Sequence, residues 1–170
     1  PQLLSASVIP IPTMNLTALP TTHQATIPED YLDAMGHMNV MWYIHLFDNA
    51  TWGFIPRFGM SSEYFQSTRS AAFALEQHVR HLDEVHSGDN VTIYSRALGR
   101  SIKRLHFMHF MVKADAEIAA ATVEIVASHA DRITRRTSPL PDSIAARFDN
   151  ILNAHDALDW AAPLCGIMAP

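Results

Sequence analysis

The sequence predicts an α+β domain in which one early helix is wrapped by a long antiparallel sheet. Three observations carry this. A run from Val40 to about Ile55 places Val40, Tyr43, Phe47, Ala50 and Phe54 at helical spacing, with Met41, Ile44 and Leu46 beside them. Four β-rich runs then follow between Ser70 and about Asp131. Their connections are short and carry Gly, Asp or Asn, which favours antiparallel neighbours. One helix first and a sheet afterwards is the segregated order of an α+β fold.

The elements follow in chain order. A short strand spans about His23 to Ile27 and is stopped by Pro28. The stretch from Glu29 to Met38 reads as a loop, and Asn39 supplies a side chain able to cap the helix that ends before Pro56. Polar residues on this helix fall on a narrow strip, His45 and Asp48, so it is expected to be buried almost all round. The strands run Ser70–Leu82, Val91–Leu98, Arg104–Lys113 and Ile118 to about Ala130. Turns lie at residues 86–90 and 114–117, and a basic link runs from Gly99 to Lys103. Ala119, Ala120 and Ala121 make a helix a competitor in the fourth run; Thr122, Val123, Ile125 and Val126 decide for a strand. The third strand is apolar on both faces, which implies burial by the helix on one side and another surface on the other. A last helix spans Pro141 to about Leu158. The domain reading is an extended arm over residues 1–20, with Pro10, Pro12 and Pro20, then the wrapped helix over 21–140, then a C-terminal helix and tail over 141–170.

Composition narrows the function. A chain of 170 residues, 48% hydrophobic and 17% charged, suits one globular core. The net charge of −5 counts against nucleic acid as a partner but leaves room for one anionic ligand on a local basic cluster. The single cysteine, Cys165, makes neither an internal disulfide nor a multi-Cys zinc site, and suits a cytoplasmic, reducing compartment. No apolar run approaches the roughly 20 residues of a membrane span. The first nineteen residues contain no Lys or Arg, unlike a signal peptide, so no membrane partner is expected.

Chemistry concentrates in Asp33-Ala34-Met35-Gly36-His37-Met38-Asn39. It sets a carboxylate a few residues before a helix N-terminus, where free N–H groups and partial positive charge are available. Such donors can polarise a thioester carbonyl and hold the oxyanion formed on attack. A neighbouring carboxylate can attack that carbonyl or deprotonate a water. Asp33 could equally be a loop residue bonding its own backbone.

Asp-x-x-Gly-His-x-Asn leading into an aromatic-rich helix resembles the 4-hydroxybenzoyl-CoA thioesterase branch of the hotdog fold. The stretch Leu75–Glu84, the Gly88-Asp89 turn and the segments Leu98-Gly99 and Lys103–His106 resemble betainyl-CoA thioesterases in particular. The resemblance covers about Thr22 to Asp131. It implies a hotdog fold and hydrolysis of an acyl-CoA thioester, with a short or cationic acyl group such as betainyl. It implies Asp33 as nucleophile or general base and the Val40 backbone N–H as the carbonyl donor. His37 and Asn39 match positions that order the loop. It also implies a homodimer or homotetramer with sites at subunit interfaces, and no cofactor beyond the coenzyme A of the substrate. One branch of the superfamily places its carboxylate on the central helix, where Asp48 is the acidic residue.

Other residues keep two readings at this level. Arg100, Lys103 and Arg104 either contact coenzyme A phosphates or form a solvated link, and Arg135 and Arg136 pose the same choice. Glu76 either faces solvent or reaches the cleft. Trp42, Tyr43, Phe47, Trp52 and Phe54 are core aromatics, of which one or two line an acyl pocket; Trp42 and Trp52 could face a quaternary ammonium. His78 with His81, and His106 with His109, stand three apart on strands and so point to opposite faces, which argues against a metal site. A hydratase or dehydratase is a competing class, but its Asp-x4-His pattern differs from the three residues between Asp33 and His37. A non-catalytic acyl-thioester or protein-binding module is another.

Overall fold

The computed structural model describes residues 11, 16–114, 116 and 118–170. Most of the expected arm, with Pro10 and Pro12, lies outside the described residues, as do Asp115 and Glu117 of the expected turn. The elements are β1 (Thr21–Thr26), α1 (Val40–Phe54), α2 (Ser62–Ser67), β2 (Ser70–His81), β3 (Asn90–Arg100), β4 (Arg104–Lys113), β5 (Ala121–Asp131), β6 (Arg136–Thr137) and α3 (Asp142–Asp156). The sheet is antiparallel, in the order β1-β3-β4-β5-β2, with β6 returning onto β5. It curls around α1 in the hotdog arrangement. The last long strand starts later than expected, because the Ala119 N–H is taken by the Ile11 carbonyl rather than by a ladder partner. The short helix α2, capped by the Ser61 hydroxyl, has too few residues for a periodic signal.

Tyr43, Leu46, Phe47, Ala50 and Phe54 of α1 pack into the concave face against Ile93, Leu105, Phe107, Val123 and Ile125. Burial of α1 is not all-round as expected. Val40 is 64% and Trp52 49% exposed, with Met41, Ile44 and Asp48 also open. Positions 40, 44, 48 and 52 form one stripe, the side that the curled sheet does not reach.

Two contacts fix where α1 sits. Gly53 lies so close to β1 that an added Cβ would stand 1.9 Å from the Thr22 carbonyl oxygen. Beside it, fully buried His109 joins α1 to β3. Its Nε2 is hydrogen-bonded to the Thr51 hydroxyl at 2.9 Å and its Nδ1 to the Ser95 hydroxyl at 2.6 Å, one ring nitrogen donating and the other accepting.

The outer face of the sheet, which the apolar third strand implies is buried by another surface, is covered by the chain itself. Ile11, Leu16 and Leu19 from the N-terminal side, with Leu158, Trp160 and Ala162 from the tail, pack on Met108, Phe110 and Val112. Buried Glu124 accepts from His106 Nε2 at 2.8 Å and from the Cys165 N–H at 2.7 Å, which anchors the tail. Arg96 donates to the His155 and Trp160 carbonyls and lies 4.2 Å from the Trp160 ring centre.

Burial pushes the His109 pKa down to about 3 from an ordinary 6.5, and burial with nearby Arg96 pushes His155 to about 4. The unfolded chain therefore takes up these protons first, and stability is lost as pH falls from 6.5 toward 3. Denaturant midpoints should decline across that window. His109→Gln should lower stability at neutral pH and flatten the decline, leaving the share due to His155. An unaltered slope in the variant would contradict this assignment.

Candidate active site

The Asp33 segment is a small closed turn. Leu32 and Met38 face each other as an antiparallel bridge. Between them the Gly36 N–H donates to the Asp33 carbonyl at 3.1 Å and the Asp33 N–H donates to the His37 carbonyl at 3.0 Å. Gly36 has φ +87°, a conformation that a side chain disfavours. The Asp33 Oδ1 accepts the Met35 N–H at 2.8 Å, the local bond typical of a turn aspartate. That bond orients the carboxylate, which remains about 30% exposed. The turn is pinned from outside: the Met38 N–H donates to the Val85 carbonyl at 2.7 Å and the Asn39 N–H to the Tyr31 carbonyl at 2.9 Å.

Asn39 then caps α1. Its Oδ1 accepts the Met41 N–H at 3.0 Å, and its carbonyl accepts the Trp42 N–H at 2.9 Å. Among the described residues the remaining first-turn donor, the Val40 N–H, has no acceptor. Trp42 stacks on Tyr31 with ring centres 3.7 Å apart, bracing the first turn against the loop.

Asp33, His37, Val40, Tyr43, His81 and Glu84 line one cleft of about 480 Å³. Asp33 and Val40, the residue that carries the free amide, therefore border the same space. His37 Nδ1 stands 3.6 Å from Asp33 Oδ1, too far for a hydrogen bond, and its Nε2 is 4.0 Å from Glu84. Burial pushes the Tyr43 phenol up and His81 down, keeping both neutral. The Lys113 ammonium, 2.7 Å from Asp83, holds that carboxyl below its usual range.

Asp33, His37, Asn39, Val40 and Tyr43 thus come together. The remaining candidates lie elsewhere. Trp42 serves as the brace just described. Glu76 is exposed on β2 and does not line the cleft. Arg100 is tied to α3, donating from Nε and Nη2 to both oxygens of Asp149 at 2.6 Å. Lys103 and Arg104 stand at the far end of β4 from Lys113. At about 3.3 Å per residue, that is roughly 30 Å along the strand from the Asp33 end. The cleft wall from Leu82 to Glu84 was not read as part of a site, because the bond that joins it to the motif spans residues 38 and 85. Asp48 and Trp52 line a second cavity of about 290 Å³ with Phe65, Phe73, Phe107 and Arg132.

Comparison with known proteins decides the family. Residues 27–148 match the thioesterase-like superfamily. The chain belongs to it. Among curated relatives of this thioesterase-like chain, the betainyl-CoA thioesterase of Pseudomonas aeruginosa is 28% identical over 81% of this chain and 87% of its own. The L-carnitine dehydrogenase/betainyl-CoA thioesterase of Agrobacterium fabrum is 31% identical over 79% of this chain. This chain spans only 27% of that relative's length. A Staphylococcus aureus protein solved in complex with CoA shares the fold at a TM-score of 0.79, with 24% identity over 89% of this chain and 96% of its own.

Proposed function

We propose that this chain hydrolyses an acyl-CoA thioester to a free acid and coenzyme A. The observation that supports this most directly is the shared cleft of the Asp33 carboxylate and the unbonded Val40 amide. The thioester carbonyl oxygen takes the Val40 N–H, reinforced by the partial positive charge of the α1 N-terminus. In one route Asp33 removes a proton from water as the hydroxide adds to the carbonyl carbon. Collapse of the oxyanion breaks the C–S bond, and the Asp33 proton passes to the departing thiolate. In the other route Asp33 itself adds to the carbonyl carbon, expels the thiolate and forms an anhydride that water then opens. Both consume one water, and neither calls on a cofactor beyond the coenzyme A of the substrate. Acyl choice follows the relatives named for betainyl-CoA: a short acyl group carrying a fixed positive charge. The acidic cleft of Asp33, Asp83 and Glu84 suits such a group. A single thiol and coenzyme A chemistry fit a cytoplasmic setting.

The working form is a homodimer. The α1 helix covers the inner sheet face and the chain's own termini cover the outer one. What stays open is β2, a twelve-residue edge strand with Phe73 and Leu75 each 44% exposed, beside the open stripe of α1. An unpaired, apolar edge of this length invites pairing with another strand. The packing of Ile11, Leu16 and Leu19 on the outer face favours a dimer through β2 over a tetramer built through that face.

Two measurements test the reading. Asp33→Asn should cut betainyl-CoA hydrolysis, followed by free-thiol release, by roughly a thousandfold with an unchanged circular dichroism spectrum. Hydrolysis at the parental rate would remove Asp33 from the chemistry. In light scattering the protein should run at about twice 18.9 kDa, and Leu75→Arg should shift it to monomer with loss of turnover. A parental monomer or tetramer would contradict the assembly.

A further inference from the structure

The cleft at the tip of α1 is bordered by Asp33, Asp83 and Glu84, and the surroundings of these carboxylates differ. Asp33 is the group assigned to the chemistry. Asp83 is neutralised by the Lys113 ammonium at 2.7 Å. That ammonium also donates to the Glu84 backbone carbonyl at 2.8 Å, so its bonds go to Asp83 and to the main chain. The Glu84 carboxylate has imidazoles beside it instead, His37 Nε2 at 4.0 Å and His86 Nε2 at 3.6 Å, both beyond hydrogen-bond reach. An imidazole is not a permanent cation as an ammonium or a guanidinium is. None of the side chains lining the cleft is Lys or Arg. Among the described residues, Glu84 is therefore the cleft carboxylate with neither a chemical task nor a permanent counter-ion.

An aromatic wall accompanies it. The Tyr43 and His81 rings line the same cleft and meet edge to face, with 4.6 Å between their centres. Burial keeps the His81 imidazole neutral, so this wall does not repel a cation. A quaternary ammonium has no N–H to donate and is recognised by charge and by aromatic rings. The second cavity also sets an acid, Asp48, among aromatics, but Arg132 lines it too and opposes a cation.

Reach agrees with charge. Glu84 stands one imidazole ring away from Asp33, because His37 lies between them, 3.6 Å from Asp33 and 4.0 Å from Glu84. In a trimethylammonio-acetyl group a single methylene separates the charge from the carbonyl carbon. A carbonyl held at Val40 therefore brings that charge into the space bordered by Tyr43, His81 and Glu84.

We propose that Glu84 is the specificity-determining residue for a fixed positive charge on the acyl group, with the Tyr43 and His81 rings as the wall beside it. The inference rests on the thioesterase reading and deepens it: one side chain sets which acyl group is preferred.

The test compares betainyl-CoA with tert-butylacetyl-CoA, in which carbon replaces the nitrogen, so that the shape is kept and the charge removed. The parental protein should prefer the charged thioester in kcat/KM. Glu84→Gln should lose roughly tenfold of that preference, and Glu84→Lys, which sets a repelling charge in the same place, should lose more. The Glu84 side chain is 66% exposed and among the described residues makes no hydrogen bond, so both variants should keep the parental circular dichroism spectrum. A folding defect would lower both thioesters together and leave their ratio intact. A ratio unchanged in the two variants, or lowered equally by Gln and Lys, would overturn the proposal, as would a parental protein with no preference for the charged thioester. Parental hydrolysis of neither compound would instead remove the thioesterase reading itself.

Discussion

Asn39 uses its side-chain oxygen and its carbonyl on the second and third residues of α1, and what it leaves unbonded is the Val40 N–H. A free donor at the positive end of a fifteen-residue helix is a strong place for a carbonyl oxygen that is about to become an anion. Its value depends on α1 not moving. The close approach of Gly53 to the Thr22 carbonyl, the Thr51–His109–Ser95 chain and the Trp42–Tyr31 stack all resist sliding or rotation of the rod. The carboxylate is held just as firmly, because the turn that bears it is bonded to Val85 on one side and Tyr31 on the other. The site is thus two short pieces of backbone geometry fixed to one core.

The same core leaves the molecule lopsided. Its sheet is sealed on the outer face by residues that flank the fold, with Arg96 and Glu124 bonding the C-terminal tail from below. A buried carboxylate and a buried guanidinium there are tolerated because each finds partners, including backbone groups of the tail. With both faces occupied, apolar exposure concentrates along β2 and the open stripe of α1. The charge follows the sheet's long axis, acidic by Asp33, Asp83 and Glu84 and basic by Arg104 and Arg136.

Much of this was legible in the sequence where the cause was local. The Asp33–Asn39 segment announces a turn, a left-handed glycine and a helix cap within seven residues, and the structure has all three. The strands were legible from their β-branched runs and turns. Non-local pairing was not. Nothing near Arg100 signals that Asp149 will take its guanidinium, and nothing in the Pro-rich tail shows that Trp160 and Leu158 will cover β4. The α1 stripe misled for a related reason. Val40, Ile44 and Trp52 are apolar as a core residue is apolar, and periodicity does not distinguish a core stripe from an exposed apolar one.

The central claim is that the Val40 amide polarises the scissile carbonyl while Asp33 waits beside it. The direct measurement is the infrared stretching frequency of an isotope-labelled thioester carbonyl bound to the Asp33→Asn protein. The account predicts a shift to lower frequency than the same thioester shows in water, because the helix tip pulls harder on the oxygen than solvent does. A carbonyl frequency equal to or above the aqueous value would contradict it.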